Sequence, residues 1–360
     1  MSEGVARFAG VVGHQRVLSF LEQEVASPAH AYLLVGASGV GKATVARLFA
    51  AALLCPTGGR HAGECSSCRR VAEGTHPDLM LVDPEGRQAL GVDQARTTVA
   101  QAVLAPVEAS RKIFLFEDAG SMTEQAANAL LKTLEEPTPT TIFLLAVEAE
   151  DLLPSTVASR CRSVHFGRVD EAVIRDALIE SGVSPDQAEG AAGVAGGRPG
   201  LAFNLATRPE VAEFRKAWLG VPLRVSARPG EAFVLAEQMI AVSQPLLAGL
   251  RSRLEAEQTR PSAGGGTTLK ERLERDVKRA SQSLLATGLE ILASWYLDAA
   301  SAHHGGPVRN REVPVAALMT VPAPRSVRNA ERALGSVVDL ESNLRPQLVL
   351  ADLFMALAAE

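Results

Sequence analysis

Four short apolar runs punctuate the first 166 residues: Ala31-Tyr32-Leu33-Leu34-Val35, Leu79-Met80-Leu81-Val82, Ile113-Phe114-Leu115-Phe116 and Ile142-Phe143-Leu144-Leu145-Ala146. Each is nearly continuous and bounded by polar or turn residues, as in strands buried on both faces. Between them apolar positions recur at helical spacing. Val45, Leu48, Phe49, Ala52 and Leu53 follow Thr44. Ala127, Leu130, Leu131 and Leu134 lie between Glu124 and Glu136, and Pro137 stops that helix. This βα alternation predicts a parallel sheet flanked by helices. Beyond Phe166 the strand pattern fades. Asp170 can cap one helix, Ser184-Pro185-Asp186 can start another, and Gly196-Gly197-Arg198-Pro199-Gly200 reads as a turn. From about residue 208 the pattern is helical, broken at Pro261–Gly266 and at His303–Pro307, with no internal repeat.

A length of 360 residues suits two or three domains, and 47% hydrophobic content is enough for real cores. A net charge of −5 argues against a uniformly basic nucleic-acid coat. With 4% aromatic residues, stacking platforms for single strands would be few. No apolar run approaches a membrane span, and the first residues lack an apolar signal core. A soluble, cytoplasmic chain is therefore expected. Four cysteines are few for a disulfide framework at this length.

Gly36-Ala37-Ser38-Gly39-Val40-Gly41-Lys42 follows a strand and opens a helix. Glycines let successive N–H groups curl around a phosphate chain, the helix N-terminus adds positive partial charge, and Lys42 reaches the terminal phosphates. The next residue should carry the hydroxyl that holds Mg²⁺, but it is Ala43; Thr44 lies about 100° further round the helix. After the third strand an ATPase needs Asp for the metal, then Glu for water. This chain has Glu117-Asp118, the reverse order, so one carboxylate is a methylene too long and the other a methylene too short. Gly36, Gly39, Gly41, Lys42, Thr44, Glu117 and Asp118 thus outline a degenerate ATP or ADP site in which Mg²⁺ is not expected.

Further segments carry a resemblance. Phe8–His14, His30–Gly36, Gly74-Thr75-His76-Pro77-Asp78, Gly91–Arg96, Ala127–Pro137 and Ser159-Arg160-Cys161-Arg162 resemble bacterial clamp-loader AAA+ proteins, densely over 8–166. Asn343-Leu344-Arg345-Pro346-Gln347-Leu348 is similar to that family's last helix. Within the group the departures point to the delta-prime family of DNA polymerase III. Ala43 and Glu117 are two of them. Val147 replaces a polar residue that senses the γ-phosphate in motor relatives. The nucleotide-touching Arg of the lid aligns with Gly200, with Arg198 nearby. The resemblance implies an AAA+ α/β domain (1–167), a small helical lid (168–207) and an all-α C-terminal collar (208–360). It implies a non-hydrolysing stator that helps load the sliding clamp onto primed DNA, beside gamma/tau and delta subunits. It also implies that Arg160 acts in trans as an arginine finger on a neighbouring subunit's ATP.

Cys55, Cys65 and Cys68 lie in a Pro/Gly-rich excursion, and Cys65-x-x-Cys68 is a zinc-knuckle spacing. The resembled family often has four cysteines in this insertion (55–68); here His61 could supply the fourth ligand of a structural zinc, with His76 the weaker candidate. Lys270–Arg279 reads as a solvated mixed-charge helix, and Trp218, Trp295 and Tyr296 as core. Two other functions fit parts of the pattern. An active gamma/tau-type motor is opposed by Ala43, Glu117 and Val147. An unrelated P-loop kinase or NTPase leaves Ser159-Arg160-Cys161 unexplained.

Overall fold

Ala31–Val35 (β1), Lys112–Phe116 (β3) and Thr141–Val147 (β4) have every residue buried, which is why their sequences read as unbroken apolar runs. They belong to a five-stranded, all-parallel sheet of order β2-β3-β4-β1-β5, where β2 is Leu79–Leu81 and β5 is Arg162–His165. The computed structural model describes residues 7–59, 65–84, 89–206, 210–258, 269–310, 312–341 and 344–359. β5 is the element the apolar pattern missed. It is an edge strand with only Val164 buried, so its other positions are free to be polar.

Alternate residues of each strand feed opposite faces. Tyr32, Leu34, Ile113, Leu115, Ile142 and Leu144 pack with Gln15–Glu24 (α1), Lys42–Leu54 (α2) and Val71 of Ser66–Ala72 (α3). Leu33, Val35, Phe114, Phe116, Phe143 and Leu145 pack with Val92–Ala102 (α4) and Glu124–Glu135 (α5). Phe114 and Phe143 stack with ring centroids 5.3 Å apart. Each large side chain buried in this way contributes about 1.5–3 kcal/mol. The Thr123 hydroxyl accepts from Ala126 N at 3.2 Å and so caps α5, which ends just before Pro137.

The Thr-His-Pro-Asp segment leads into β2. His76 and Asp78 are both buried. The Asp78 carboxylate accepts three amide hydrogens, from Val107 (2.6 Å), Glu108 (2.9 Å) and Ala109 (2.8 Å), and so fixes the turn that delivers the chain into β3. Burial alone would raise this carboxyl, but the three amide donors overcome it and hold it below the usual carboxylate range. His76 accepts from Asp78 N on Nδ1 and faces Glu108 Oε1 at 3.1 Å on Nε2.

Ser155–Ala158 (α6) precedes β5, and Glu171–Glu180 (α7), Pro185–Ala195 (α8) and Pro199–Leu205 (α9) follow it. The Asp170 carboxylate accepts from Ala172 N at 2.8 Å at the start of α7. The turn expected over 196–200 is shorter than anticipated, because Pro199 already opens α9. The rest is helical: Glu210–Leu219 (α10), Pro229–Gln258 (α11), Leu269–Ala302 (α12), Val315–Leu318 (α13), Ala323–Glu341 (α14) and Pro346–Ala358 (α15). Packing divides the chain into two compact units. One comprises Met1–Ala177, Gly197–Leu201 and Glu257–Arg272; the other comprises Leu178–Gly196, Ala202–Ala256 and Leu273–Glu360.

The second unit has no strand among its described residues. Its core is built on Trp218, Trp295, Tyr296, Phe214 and Phe354, all buried. Gly288 of α12 lets the Trp218 indole lie against the helix, since a Cβ there would meet Trp218 Cε2 at 2.0 Å. Arg325 and Arg332 of α14 donate to Leu357 O (2.9 Å) and Ala356 O (3.0 Å), satisfying carbonyls at the end of α15. Among the described residues one helix has the length and mean hydropathy of a membrane span, although it is no unbroken apolar run. Pro229–Gly249 of α11 has 21 residues and a mean hydropathy of 1.3. Glu231, Glu237 and Gln238 interrupt its apolar letters, and Ala232, Leu235, Ala236 and Met239 are buried as in a core helix. The Pro261–Gly266 break and Asn343 lie outside the described residues, and Lys270–Arg279 falls within α12.

Candidate functional site

Parallel strands bring their carboxyl ends to one edge, where open α/β sheets hold ligands. Gly36 follows β1 at that edge, Glu117 follows β3 and Val147 ends β4. Gly36 N donates to Val147 O at 3.1 Å. A Cβ on Gly36 would meet Phe166 O at 2.4 Å, so only glycine fits. Gly39 (φ +78°) and Gly41 (φ +105°) adopt the left-handed conformations that curl the loop. The loop is also braced from outside. His14 Nε2 donates to Val40 O at 2.9 Å, with its ring edge-on to Phe166. The buried Arg198 side chain lies against Gly39, its Cδ 3.4 Å from where a Cβ would stand. Gly200 lies at the same loop, where a Cβ on it would stand 3.5 Å from Gly39 O.

Lys42 opens α2, is nearly buried, and donates from Nζ to Gly36 O and to Ala37 O (2.9 Å). Burial lowers its proton affinity, and the charges of Glu148 and Asp118 act in the opposite direction. Ala43 is half-buried and Thr44 exposed, as the helical angle between them requires. Glu117 is bound through Oε1 to the Nε of Arg47, a residue of α2 that the motif reading passed over. The partners are 70 residues apart, but one signal was present: Arg47 stands one helical turn beyond Ala43. Val147 is buried and apolar and offers no side-chain hydrogen bond.

Arg160 lies at the other edge. Two residues after it β5 begins, and Arg162 pairs with Tyr32, four residues before Gly36. At about 3.3 Å per residue, roughly 13 Å of strand separates the start of β5 from the loop. There Arg160 Nη2 pairs with Glu135 Oε1 at 2.5 Å, and Nη1 donates to Thr156 O at 2.6 Å. Both holds come from the amino edge of the sheet, where α5 ends and α6 begins. Ser159 is exposed. Burial pushes the Cys161 thiol up to about 12, which makes it inert rather than nucleophilic.

Cys55, Cys65 and Cys68 converge, with their sulfurs all within 4.8 Å of one another. Cys55 Sγ and Cys65 Sγ are 3.8 Å apart. That is too long for a disulfide, but two thiolates on a tetrahedral zinc with bonds of about 2.3 Å stand roughly 3.8 Å apart. Cys65 caps α3 and accepts from Cys68 N at 3.4 Å. The three thiols fit a structural metal. His61 lies outside the described residues. His76 is committed through both ring nitrogens elsewhere.

The strand order and the glycine loop between β1 and α2 define a parallel P-loop α/β fold. Residues 13–170 match the family described as DNA polymerase III, delta subunit. The DNA polymerase III subunit delta' of Bacillus subtilis (strain 168) is 36% identical over 207 residues, covering 57% of this chain and 62% of that one. The subunit delta' of Pseudomonas aeruginosa is 44% identical over 139 residues, covering 38% and 42%. The subunit tau of Escherichia coli (strain K12) is 37% identical over 175 residues, covering 48% and 27%. The chain thus spans less than two thirds of the length of each of these relatives. Over its N-terminal region it resembles the delta-prime clamp-loader subunits.

Proposed function

We propose that this chain is a non-hydrolysing stator of a bacterial DNA polymerase III clamp loader, the machine that places a ring-shaped clamp on primed DNA. One observation carries the reading: the two halves of an ATPase centre are treated differently. The chain's own loop keeps Lys42 and its glycines, but the carboxylate of Glu117 is bound to Arg47. Arg160, by contrast, is held in a defined orientation at the far edge of the sheet, out of reach of its own loop. A guanidinium so placed suits another subunit's nucleotide, where its fixed charge and fork match a γ-phosphate. Gly36, Gly39, Gly41 and Lys42 would still hold ATP or ADP without turnover.

In this reading residues 168–207 form a lid and 208–360 a collar that joins delta and gamma/tau subunits in a cytoplasmic ring. The ring supplies the contacts to clamp and DNA. The test is to mix the purified chain with delta and tau/gamma subunits. The expected result is a stable complex by size-exclusion chromatography, with no ATP turnover by the isolated chain. Turnover by the chain alone that disappears in Lys42→Ala would instead make it a motor.

Cys55, Cys65 and Cys68 hold a structural zinc in this proposal, with His61 as fourth ligand. Protein purified without chelator is expected to carry about one zinc per chain, and Cys65→Ser to lose it. A metal content near zero in the unaltered chain rules the site out. Zinc retained in His61→Ala removes only the fourth ligand.

A further inference from the structure

Ala43 and Arg47 stand four residues apart on α2, so their side chains share one helix face. Long helical side chains lean back toward the N-terminus, which aims Arg47 at the turn that Ala43 occupies. Its Nε meets Oε1 of Glu117, which follows β3 at the same edge of the sheet as the loop. In a metal-dependent P-loop, the residue after the lysine supplies a hydroxyl and the residue after β3 a carboxylate, and both serve one cation. Here the hydroxyl is a methyl. The carboxylate is engaged by a guanidinium rising from the same helix face. The Glu117 side chain is only 19% exposed and that of Arg47 38%, so the pair is partly shielded from water.

We propose that Arg47 is the resident cation of this loop: its guanidinium takes the electrostatic place of a divalent metal, neutralises Glu117 and keeps metal out. Mg²⁺ requires near-octahedral oxygen ligands. To bind beside the loop it would have to strip Glu117 from Arg47, leaving a dication next to a guanidinium that cannot lose its proton. The two departures at 43 and 117 and the arginine at 47 then form one coherent change. The inference deepens the reading of the loop as non-hydrolysing. It does not depend on the clamp-loader role, because it is tested on the isolated chain and would stand or fall without any partner subunit.

The experiment measures Mn²⁺ uptake by electron paramagnetic resonance in the presence of a slowly hydrolysed ATP analogue. Five chains are compared: unaltered, Ala43→Ser, Arg47→Met, the Ala43→Ser/Arg47→Met double variant, and Ala43→Ser with Arg47→Lys. Thermal melting of each serves as the folding control. The unaltered chain and Ala43→Ser are expected to take up no protein-bound Mn²⁺. The double variant should gain Mn²⁺ affinity by about tenfold or more, and Arg47→Lys combined with Ala43→Ser should not, because the charge remains. If Arg47→Met does not fold, Arg47→Gln replaces it, keeping a hydrogen bond to Glu117 without the charge. Metal uptake by Ala43→Ser alone overturns the proposal, since Arg47 would then be no barrier. So does a folded double variant that gains none.

Discussion

Arg160→Ala is expected to lower ATP turnover at the neighbouring site of a reconstituted complex by about a thousandfold, the low end for loss of an arginine finger. The expectation rests on placement. Nη2 is paired to Glu135 and Nη1 to Thr156 O, so the guanidinium is oriented before any partner arrives. A pre-oriented group loses little freedom when charge develops on a phosphate, and so stabilises the transition state more than the ground state. Arg160→Lys should recover only part of the loss, because an ammonium keeps the charge but lacks the planar fork. Complex formation should be unchanged, since Arg160 is partly exposed and supports no core residue. Clamp-stimulated turnover equal to that of the unaltered complex would end the arginine-finger assignment.

Asp78→Ala is expected to destabilise the N-terminal unit by about 3 kcal/mol or more. Three partly buried amides lose a charged acceptor together, and each hydrogen bond to a charged group is worth on the order of 1.5–3 kcal/mol. Water entering the vacated site would hold the total below the simple sum. Chemical denaturation followed by circular dichroism measures the loss. The pH dependence gives a second reading. The folded carboxyl lies below its unfolded value of about 3.9, so the unfolded state takes up the proton first as pH falls. Its stabilisation is therefore complete above pH about 4 and is lost as pH drops through the lower folded value. Asp78→Ala should lack that component of acid sensitivity. An unchanged denaturation midpoint and acid profile would show that the three hydrogen bonds contribute nothing net.

Some of this was legible in the letters. β1, β3 and β4 announce themselves because strands buried on both faces are apolar at nearly every position, with Lys112 and Thr141 confined to strand starts. The phosphate loop is legible because φ above zero and close backbone approach demand glycine at particular offsets, as at Gly36, Gly39 and Gly41. The cysteine spacing announced a metal-like cluster, and the convergence of the three sulfurs agrees with it. β5 was not legible, because one buried residue in four makes no pattern. Nor was the role of Asp78, whose donors lie some thirty residues downstream and are backbone amides that no residue type announces.

The sequence by itself determined a βα-alternating N-terminal region with a phosphate loop, an absent metal hydroxyl and a Ser-Arg-Cys arginine, because each depends on local spacing or on a single residue type. Only the tertiary structure decided what those residues face. Arg47 reaches Glu117 because α2 packs over the sheet edge where β3 ends. Arg160 lies away from its own loop because β5 runs parallel to β1, which puts a residue before one strand and a residue after the other at opposite ends. Parallel register is a long-range property, set by how crossover helices pack on both faces, and no short stretch of the chain encodes it.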